Sequence, residues 1–325
     1  MIFLSNITES FRFQSSQVGV DHYEVTVSFT VPLGTSIIAE ALVPVLDGGY
    51  YYVMGLKELV KAHMEQNNYS FYSLNFHARP YDADGEWMEN LDDISISEEV
   101  LYNSLKFRGS AYTIVNWRFM TRRTSMVIAD NANYILHWAN GTPGDTFDIV
   151  YHLKDGSTDT QTVQVTGAAG SVALGRTALK DAYYAYAKYN ARTMTVYFQE
   201  QSEYLIFNFR NMFNVEERMT LPASIEENPS TEHESAVYNQ ITQHYDIEHR
   251  LELKVKTAPL TDGQLDMLLE LCRSRKVRMY RNMKEGWVSV LVDDYKMPKS
   301  DNPNSPRVAE LTLVPEDYDD VTAMS

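Results

Sequence analysis

The stretch Tyr245–Lys256, which reads YDIEHRLELKVK, alternates between apolar and charged residues. One side of an extended chain would carry Tyr245, Ile247, His249, Leu251, Leu253 and Val255. The other side would carry Asp246, Glu248, Arg250, Glu252, Lys254 and Lys256. A period of two with charges on one face is typical of a half-buried antiparallel strand. The sequence therefore predicts a long strand here.

The pattern changes to a helical period after Pro259. Thr261 can cap the first turn of a helix, and Gln264, three residues later, completes a capping box. An apolar stripe at helical spacing follows, formed by Leu265, Leu268, Leu269 and Cys272. These features predict a short amphipathic helix over residues 261–274.

Strands are predicted after this helix, and a loop is predicted before the long strand. The segments that read as strands are Lys276–Tyr280, Trp287–Val292 and Val308–Val314. The polar, acidic segment Ala223–Gln243 predicts a surface loop of about twenty residues. Two interpretations of this loop stay open: it orders against a neighbouring subunit on assembly, or it is a surface excursion without a partner.

This order of strand, helix and three strands is similar to the distal-tail and tail-tube families of tailed bacteriophages, in which a β-sandwich carries one helix on its side. Several segments resemble the C-terminal part of structural proteins from the tail clusters of Bacteroidetes phages. They are Asn208–Asn214 (NFRNMFN), the long strand, residues 260–280 (LTDGQLDMLLELCRSRKVRMY) and residues 308–317 (VAELTLVPED). The resemblance covers roughly a third of the chain.

The resemblance implies a structural role and no chemistry. The protein would be a subunit of a virion tail, in the tail tip, the baseplate or a tube adaptor, made in the host cytoplasm. Its partners would be copies of itself in a homo-oligomeric ring and neighbouring tail proteins. The resemblance carries over no catalytic, cofactor-binding or metal-binding residue.

The N-terminal part repeats the order of strand, helix and strand. Tyr23–Val31 alternates strictly and predicts a strand, as does Tyr69–Ala78. Between them, Gly55–Asn67 has apolar residues at helical spacing and predicts a helix. Ser95–Leu105 predicts a second, brief helix. A duplicated module is one interpretation of this order, although no residue-level similarity supports it.

Short strands separated by turn pairs characterise the middle of the chain. Asn-Gly, Pro-Gly and Asp-Gly pairs begin at residues 140, 143 and 155. This spacing favours a small β-sandwich. The chain is therefore expected to be mainly β, with β-sandwich modules and a few short helices. Three modules are expected, over residues 1–110, 111–200 and 201–325.

Charge and composition disfavour several classes of partner. The 44 acidic and 28 basic residues give a net charge of −16, which disfavours nucleic-acid binding and membrane adsorption. No apolar run reaches bilayer length, and Met1–Phe11 lacks the basic region of a secretory signal, so neither membrane insertion nor export is expected. The 22 tyrosines suit large, flat contact surfaces. If the acidic residues line a channel, they would repel DNA and let it slide.

Two groups of residues resemble ligand-binding loops only in part. Asp82, Asp84 and Glu86 surround a glycine but lack the later ligands of a calcium loop, so a solvated acidic turn is expected. The glycines of Gly167–Gly175 match neither a P-loop nor a dinucleotide fingerprint. They predict a turn that lets strands pass closely.

The histidines and the single cysteine have structural interpretations. His63 lies on a helix stripe and Cys272 on another, so both are expected to be packing residues. His244 and His249 are five residues apart on a strand and would point to opposite faces. Glu232–Glu234 is expected to be a solvated charge cluster in the polar loop. No enzyme activity is predicted.

Two other functions stay open. A receptor-binding or glycan-binding module would also be rich in strands and tyrosine, with a concave aromatic patch and a few polar groups. A glycoside hydrolase would need two carboxylates that face each other across a cleft. The structural role is the preferred interpretation.

Overall fold

The computed structural model describes residues 2–4, 10–31, 34–104, 118–175, 182–200, 203–238, 241–282, 285–298 and 306–316. Strands make up 59% of the structure and helices 9%, so the predicted mainly β fold is confirmed. Two helices occur within these ranges. The module boundary expected near residue 110 lies outside the described residues. No helix within the described ranges has the length and apolar character to cross a bilayer.

The N-terminal part, residues 2–104, is built from strands and one helix. Their bounds are β1 Ile2–Phe3, β2 Ser10–Gln14, β3 His22–Val31, β4 Gly34–Pro44, β5 Tyr50–Met54, α1 Leu56–Gln66, β6 Phe71–Tyr81 and β7 Ile94–Leu101. One sheet has the strand order β1-β7-β6-β3-β4, and β2 pairs with β5 in a second. The strands predicted over 23–31 and 69–78 and the helix predicted over 55–67 are confirmed, with small shifts at their ends.

The helix predicted over Ser95–Leu105 is wrong, because most of this segment belongs to strand β7. Ile94 and Ile96 alternate with serines, which is a strand period, and β7 pairs antiparallel with β6. Ile96 lies opposite Phe76 in this pairing. The partner strand therefore decides the structure of a segment whose own helical signal is weak.

The middle part, residues 118–200, forms two sheets. Its strands are β8 Ser125–Ala129, β9 Asn133–Ala139, β10 Thr146–Leu153, β11 Thr158–Gln164, β12 Ala169–Gly175, β13 Ala182–Tyr189 and β14 Arg192–Gln199. Five of them form a sheet of order β11-β10-β13-β14-β8, and β9 pairs with β12. Rings from the two sheets meet in the core, where the centroids of Trp138 and Phe147 are 5.6 Å apart.

The glycine-rich segment Gly167–Gly175 is mostly strand, so the predicted turn is wrong, although the predicted close approach is confirmed. Gly170 lies in β12 beside the indole of Trp138. A Cβ atom at this position would stand 2.2 Å from Cζ2 of that ring. Only a glycine fits between the strand and the indole.

The C-terminal part, residues 203–316, is one sheet with a helix. Its elements are β15 Leu205–Arg210, β16 Glu216–Leu221, β17 Ala223–Tyr238, β18 Ile241–Thr257, α2 Asp262–Cys272, β19 Val277–Asn282, β20 Gly286–Lys296 and β21 Glu310–Pro315. The sheet has seven strands in the order β16-β15-β19-β20-β21-β18-β17. The strands predicted over 245–256, 276–280, 287–292 and 308–314 are confirmed, the last beginning two residues later than expected.

Helix α2 begins as predicted but buries a different stripe. The Thr261 side chain accepts a hydrogen bond from the backbone N–H of Gln264, and the Gln264 side chain accepts one from the backbone N–H of Thr261, so the capping box is confirmed. The fully buried residues are Met267, Leu268 and Leu271. Leu269 was expected on the buried stripe but is only partly buried, because it lines a cavity beside the helix.

The loop predicted over Ala223–Gln243 is wrong, because residues 223–238 form strand β17. This strand is the last in its sheet and pairs only with β18 among the described strands. Ile225, Glu226 and Glu227 are all exposed, so this part of the strand shows no alternation of buried and exposed side chains. Pro229, which lacks a backbone N–H, is tolerated because the strand lies at an edge.

The buried side chains of the described residues form three clusters. One lies within the N-terminal part, and a second runs without interruption through the middle and C-terminal parts. The third joins all three parts and consists of Phe71, Leu101, Met120, Ala139, Met212, Phe213 and Val215. The segment around Met212 is therefore where the three parts of the molecule meet.

Candidate functional site

A long hairpin formed by β17 and β18 extends past the end of its sheet. The two strands pair from Ala223 opposite Thr257 to Tyr238 opposite Ile241. Strand β18 pairs with its other neighbour, β21, only over Leu253–Lys256. Residues 241–252 therefore have β17 as their only partner strand among the described residues. At about 3.3 Å per residue, these twelve residues span roughly 40 Å.

The outer edge of β17 has no partner strand among the described residues. An edge strand presents a row of backbone N–H and C=O groups that can pair with another strand. A two-stranded ribbon alone is marginally stable in water and is normally stabilised by a third strand or by packing. The projecting hairpin can therefore gain stability by pairing with a neighbouring molecule.

The motif Asn208–Asn214 forms the joint between the three parts. The side chain of Asn211 donates hydrogen bonds to the carbonyl oxygen of Met120, at 2.8 Å, and to Glu217, at 2.9 Å. It also accepts one from the backbone N–H of Phe213. Asn211 thus ties the turn of the motif to the middle part of the chain.

The last residue of the motif binds the N-terminal part. Asn214 has a φ of 59°, a left-handed conformation that asparagine tolerates better than most residues. Its side-chain amide donates to the carbonyl oxygens of Met64, at 3.2 Å, and Tyr69, at 3.0 Å. Met64 lies in the last turn of helix α1 and Tyr69 follows the helix, so one side chain donates to two carbonyl groups at the end of that helix.

Further contacts join the same surfaces. The backbone N–H of Ser104 donates to the carbonyl oxygen of Met212, at 2.9 Å. Glu65 accepts a hydrogen bond from the hydroxyl of Tyr102 and forms an ion pair with Arg275. The N-terminal part is therefore fixed to the C-terminal part by both backbone and charged groups.

A buried charge network lies on the other side of the motif. Arg123 donates to both carboxylate oxygens of Glu217, at 3.3 Å, and to Glu270 of helix α2, at 2.7 Å. The side chains of Arg123 and Glu217 are 7% and 2% exposed, so this pair is removed from water. Tyr134 and Thr121 also donate to Glu217, each at 3.2 Å.

Burial changes the pKa values of Glu217 and Tyr134 in this network. It raises the pKa of the Glu217 carboxyl, against the opposing effect of the Arg123 guanidinium. It also raises the pKa of the Tyr134 hydroxyl well above its usual value, and the charge of Glu217 adds to this effect. The tyrosine therefore stays a hydrogen-bond donor. Such a network fixes the packing of three elements in one arrangement.

A cavity of about 160 Å³ lies beside this joint. Its lining carries both signs of charge, and two ion pairs form within it, Arg122 with Asp266 and Arg275 with Glu65. Arg210 also lines it, donates to the carbonyl oxygen of Asn214, and has a pKa lowered by burial. These groups bind one another, so the cavity belongs to the joint.

The acidic turn predicted at residues 82–86 is confirmed. Asp82 accepts hydrogen bonds from the backbone N–H groups of Asp84, at 3.0 Å, and Glu86, at 2.9 Å. The carboxylate of Asp82 thus serves the turn itself. Within the described ranges, no group of three or more metal-ligating side chains converges.

The other side chains singled out in the sequence lie in separate parts of the molecule. His63 stacks on Phe29, with ring centroids 5.2 Å apart, and burial lowers its pKa, which fits the expected packing role. Burial raises the pKa of the Cys272 thiol to about 12, so the thiol stays protonated. Residues 232–234 lie in strand β17, not in a loop as predicted, and His244 and His249 lie in β18. The side chains of these strand residues lie outside the described part.

The motif Asn208–Asn214 was singled out in the sequence because it resembles a segment of phage tail proteins. Its role in joining the three parts of the chain was not predicted. The available signal was the recurrence of asparagine at 208, 211 and 214 between aromatic and methionine residues. Asparagine suits left-handed turns and buried hydrogen bonds to backbone carbonyls. No family model matches this chain, and no curated protein matches it either.

Proposed function

We propose that this protein is a structural subunit of a phage virion tail, in the tail tip, the baseplate or a tube adaptor. It acts through repeated contacts between copies in a ring and with neighbouring tail proteins. The observation that supports this proposal most is the hairpin of β17 and β18, which projects about twelve residues beyond its sheet. Its β17 edge has no partner strand among the described residues.

The geometry of the hairpin favours a copy of the same chain as its partner. Strand pairing needs only backbone groups, so the edge of β17 can add to a strand of a neighbour without special side chains. A head-to-tail contact repeated by a fixed rotation closes into a ring. Each contact can be weak, because a closed ring multiplies the number of contacts.

The joint supports the same proposal from inside the subunit. Asn211, Asn214 and the network of Arg123 with Glu217 hold three parts of the chain together. A subunit that builds a ring must present its contact surfaces at a constant angle. Buried polar groups that bond to one another favour a single arrangement of this kind.

The charge of the hairpin formed by β17 and β18 indicates where the hairpin would lie in the ring. Residues 223–257 contain seven acidic and three Lys or Arg residues in a chain of net charge −16. If the hairpins surround the central opening of the ring, DNA passing through would be repelled by its wall. This position in the ring is part of the proposal.

The test compares the whole chain with a variant whose hairpin is cut short. Pro229 and Leu251 lie opposite each other, so residues 230–250 can be replaced by a two-residue Asn-Gly turn. Light scattering and negative-stain imaging of the wild type should show rings of defined order, and the shortened variant should remain a folded monomer. A wild type that stays monomeric at all concentrations, or a shortened variant that still forms rings, would overturn the proposal.

A further inference from the structure

An aromatic cluster covers the outer face of the five-stranded sheet in the middle part. It consists of His152, Tyr183, Tyr184, Tyr186 and Tyr197. Residues that alternate with them on the same strands point inward and are buried, among them Tyr151, Ala185, Ala187 and Val196. The aromatic residues therefore occupy the solvent side of a sheet whose other side already has its core.

The rings form one continuous row across three strands. The ring of Tyr184 lies at the centre, stacked on His152 with centroids 4.2 Å apart and 5.8 Å from the ring of Tyr197. Because neighbouring strands are about 4.8 Å apart, the row from β10 to β14 spans about 10 Å. Tyr183 and Tyr197 are each 45% exposed, so both rings are open to solvent.

An irregularity in strand β13 adds a ring to this row. His152 pairs with Tyr184 and Leu153 pairs with Ala182, so Tyr183 is an extra residue between two pairs. Neighbouring residues on a regular strand face opposite sides of the sheet. Here the rings of Tyr183 and Tyr184 touch, with centroids 4.8 Å apart. Such bulges re-aim side chains and recur next to functional sites.

Hydroxyl groups surround the row of rings. Strand pairing places Thr158 opposite His152, and Thr195 opposite Tyr186. Thr160 and Ser125 are exposed and lie one strand further out on the same rows. Each hydroxyl can both donate and accept a hydrogen bond. The face is therefore aromatic at its centre and hydroxyl-rich at its margins.

Charge is sparse on this face among the residues that the structure describes. Asp148 and Lys188 lie at one side of it, directly opposite each other in the pairing of β10 with β13. The face thus carries no excess of either charge, whereas the whole chain has a net charge of −16. A nucleic acid would need several cations to bind here. Among the described residues of these rows, the aliphatic side chains are Val127 and Val150, and both are half-buried, so the exposed area of the face is aromatic and polar.

We propose that this face binds a neutral oligosaccharide. A sugar ring has an apolar C–H face that stacks on the electron-rich face of a tyrosine ring, and its hydroxyls need partners that donate and accept. The central rings would supply the stacking, and the tyrosine, threonine and serine hydroxyls would supply the hydrogen bonds. Tyrosine also provides rigid contact area at a low entropic cost. This binding function does not depend on ring assembly.

The experiment is a screen of the full chain on an array of neutral and acidic glycans, followed by titration calorimetry with the best neutral ligand. Replacing Tyr184 or Tyr197 with alanine should weaken binding at least tenfold, while Tyr184→Phe should retain most of it if stacking dominates. Tyr295→Ala is the matched control, because Tyr295 is 38% exposed on β20, away from this face. It should leave binding unchanged.

Three results would overturn the inference. The first is an array without binding to any neutral glycan. The second is a bound glycan whose affinity does not change in the Tyr184 and Tyr197 variants, provided that circular dichroism shows these variants folded. The third is loss of self-association in Tyr197→Ala without any glycan binding, which would make the face an interface between copies.

Discussion

The side-chain amide of Asn214 lies 3.0 Å from the carbonyl oxygen of Tyr69, a residue 145 positions earlier in the chain. This hydrogen bond, with its companion to Met64, connects the C-terminal sheet to the end of helix α1. The motif that contains Asn214 also contacts the middle part through Asn211. One short turn thus holds together three parts that the sequence presents as separate modules.

Asn214 should contribute to stability through two separate properties. Asn214→Gly keeps the left-handed backbone but removes the donor, and should lower the free energy of unfolding by about 1–3 kcal/mol. Asn214→Ala removes the donor and also strains the backbone at φ 59°, so it should cost about 1 kcal/mol more. Urea unfolding measures both values. Equal losses in the two variants would contradict a role for the left-handed conformation.

The pair of Arg123 and Glu217 should behave as one unit. Arg123→Met leaves the Glu217 carboxylate buried without its cation and should cost about 3–5 kcal/mol. Adding Glu217→Gln removes the buried charge, so the double variant should be more stable than Arg123→Met alone. A double-mutant cycle by urea unfolding tests this. Additive losses would mean that the two side chains do not act together.

His137 should make stability depend on pH. Burial lowers its pKa below the usual 6.5, and its Nε2 lies 2.8 Å from the carbonyl oxygen of Glu216, to which the neutral ring can donate. A histidine whose pKa is lower in the folded state stabilises the protein above pH 6.5, and this contribution is lost as the pH falls through the folded-state pKa. Unfolding at pH 7.5 and 5.5 should therefore show a loss on acidification. In His137→Gln, which keeps a donor, that loss should be smaller.

Two glycine-to-alanine variants should have different effects on stability. Gly170→Ala places a Cβ atom against the ring of Trp138 and should lower stability by about 1–3 kcal/mol. Gly263→Ala, in the first turn of α2, meets nothing within 4 Å and should leave stability unchanged or raise it by up to about 1 kcal/mol. Thermal midpoints of the two variants provide the comparison. A neutral Gly170→Ala would contradict the close packing of β12 on the indole.

Elements with a clear buried face were predictable from the sequence. Tyr23–Val31 and the strand that contains Leu251 and Leu253 alternate because one face meets the core. The cap of α2 was predictable because Thr261 and Gln264 interact only with each other and with nearby backbone. Signals of this kind are local, so no knowledge of the fold is needed to read them.

The missed elements depend on partners that are distant in sequence. Strand β17 has no alternating pattern, because residues such as Glu226 and Glu227 are exposed at the sheet edge. The bonds of Asn214 span about 150 residues, and only the folded chain brings the partners together. The aromatic face likewise needs the register of three strands and the bulge at Tyr183. The sequence shows the tyrosines but not their common surface.

Hydrogen exchange can show whether the edge of β17 pairs with a neighbouring copy. Those backbone amides of residues 230–238 that point away from β18 should exchange quickly in the dilute monomer and about tenfold more slowly in the assembled form, since pairing protects amides from water. The amides of β3, inside the N-terminal sheet, serve as the internal control and should change little. Equal exchange of residues 230–238 in both forms would contradict the account.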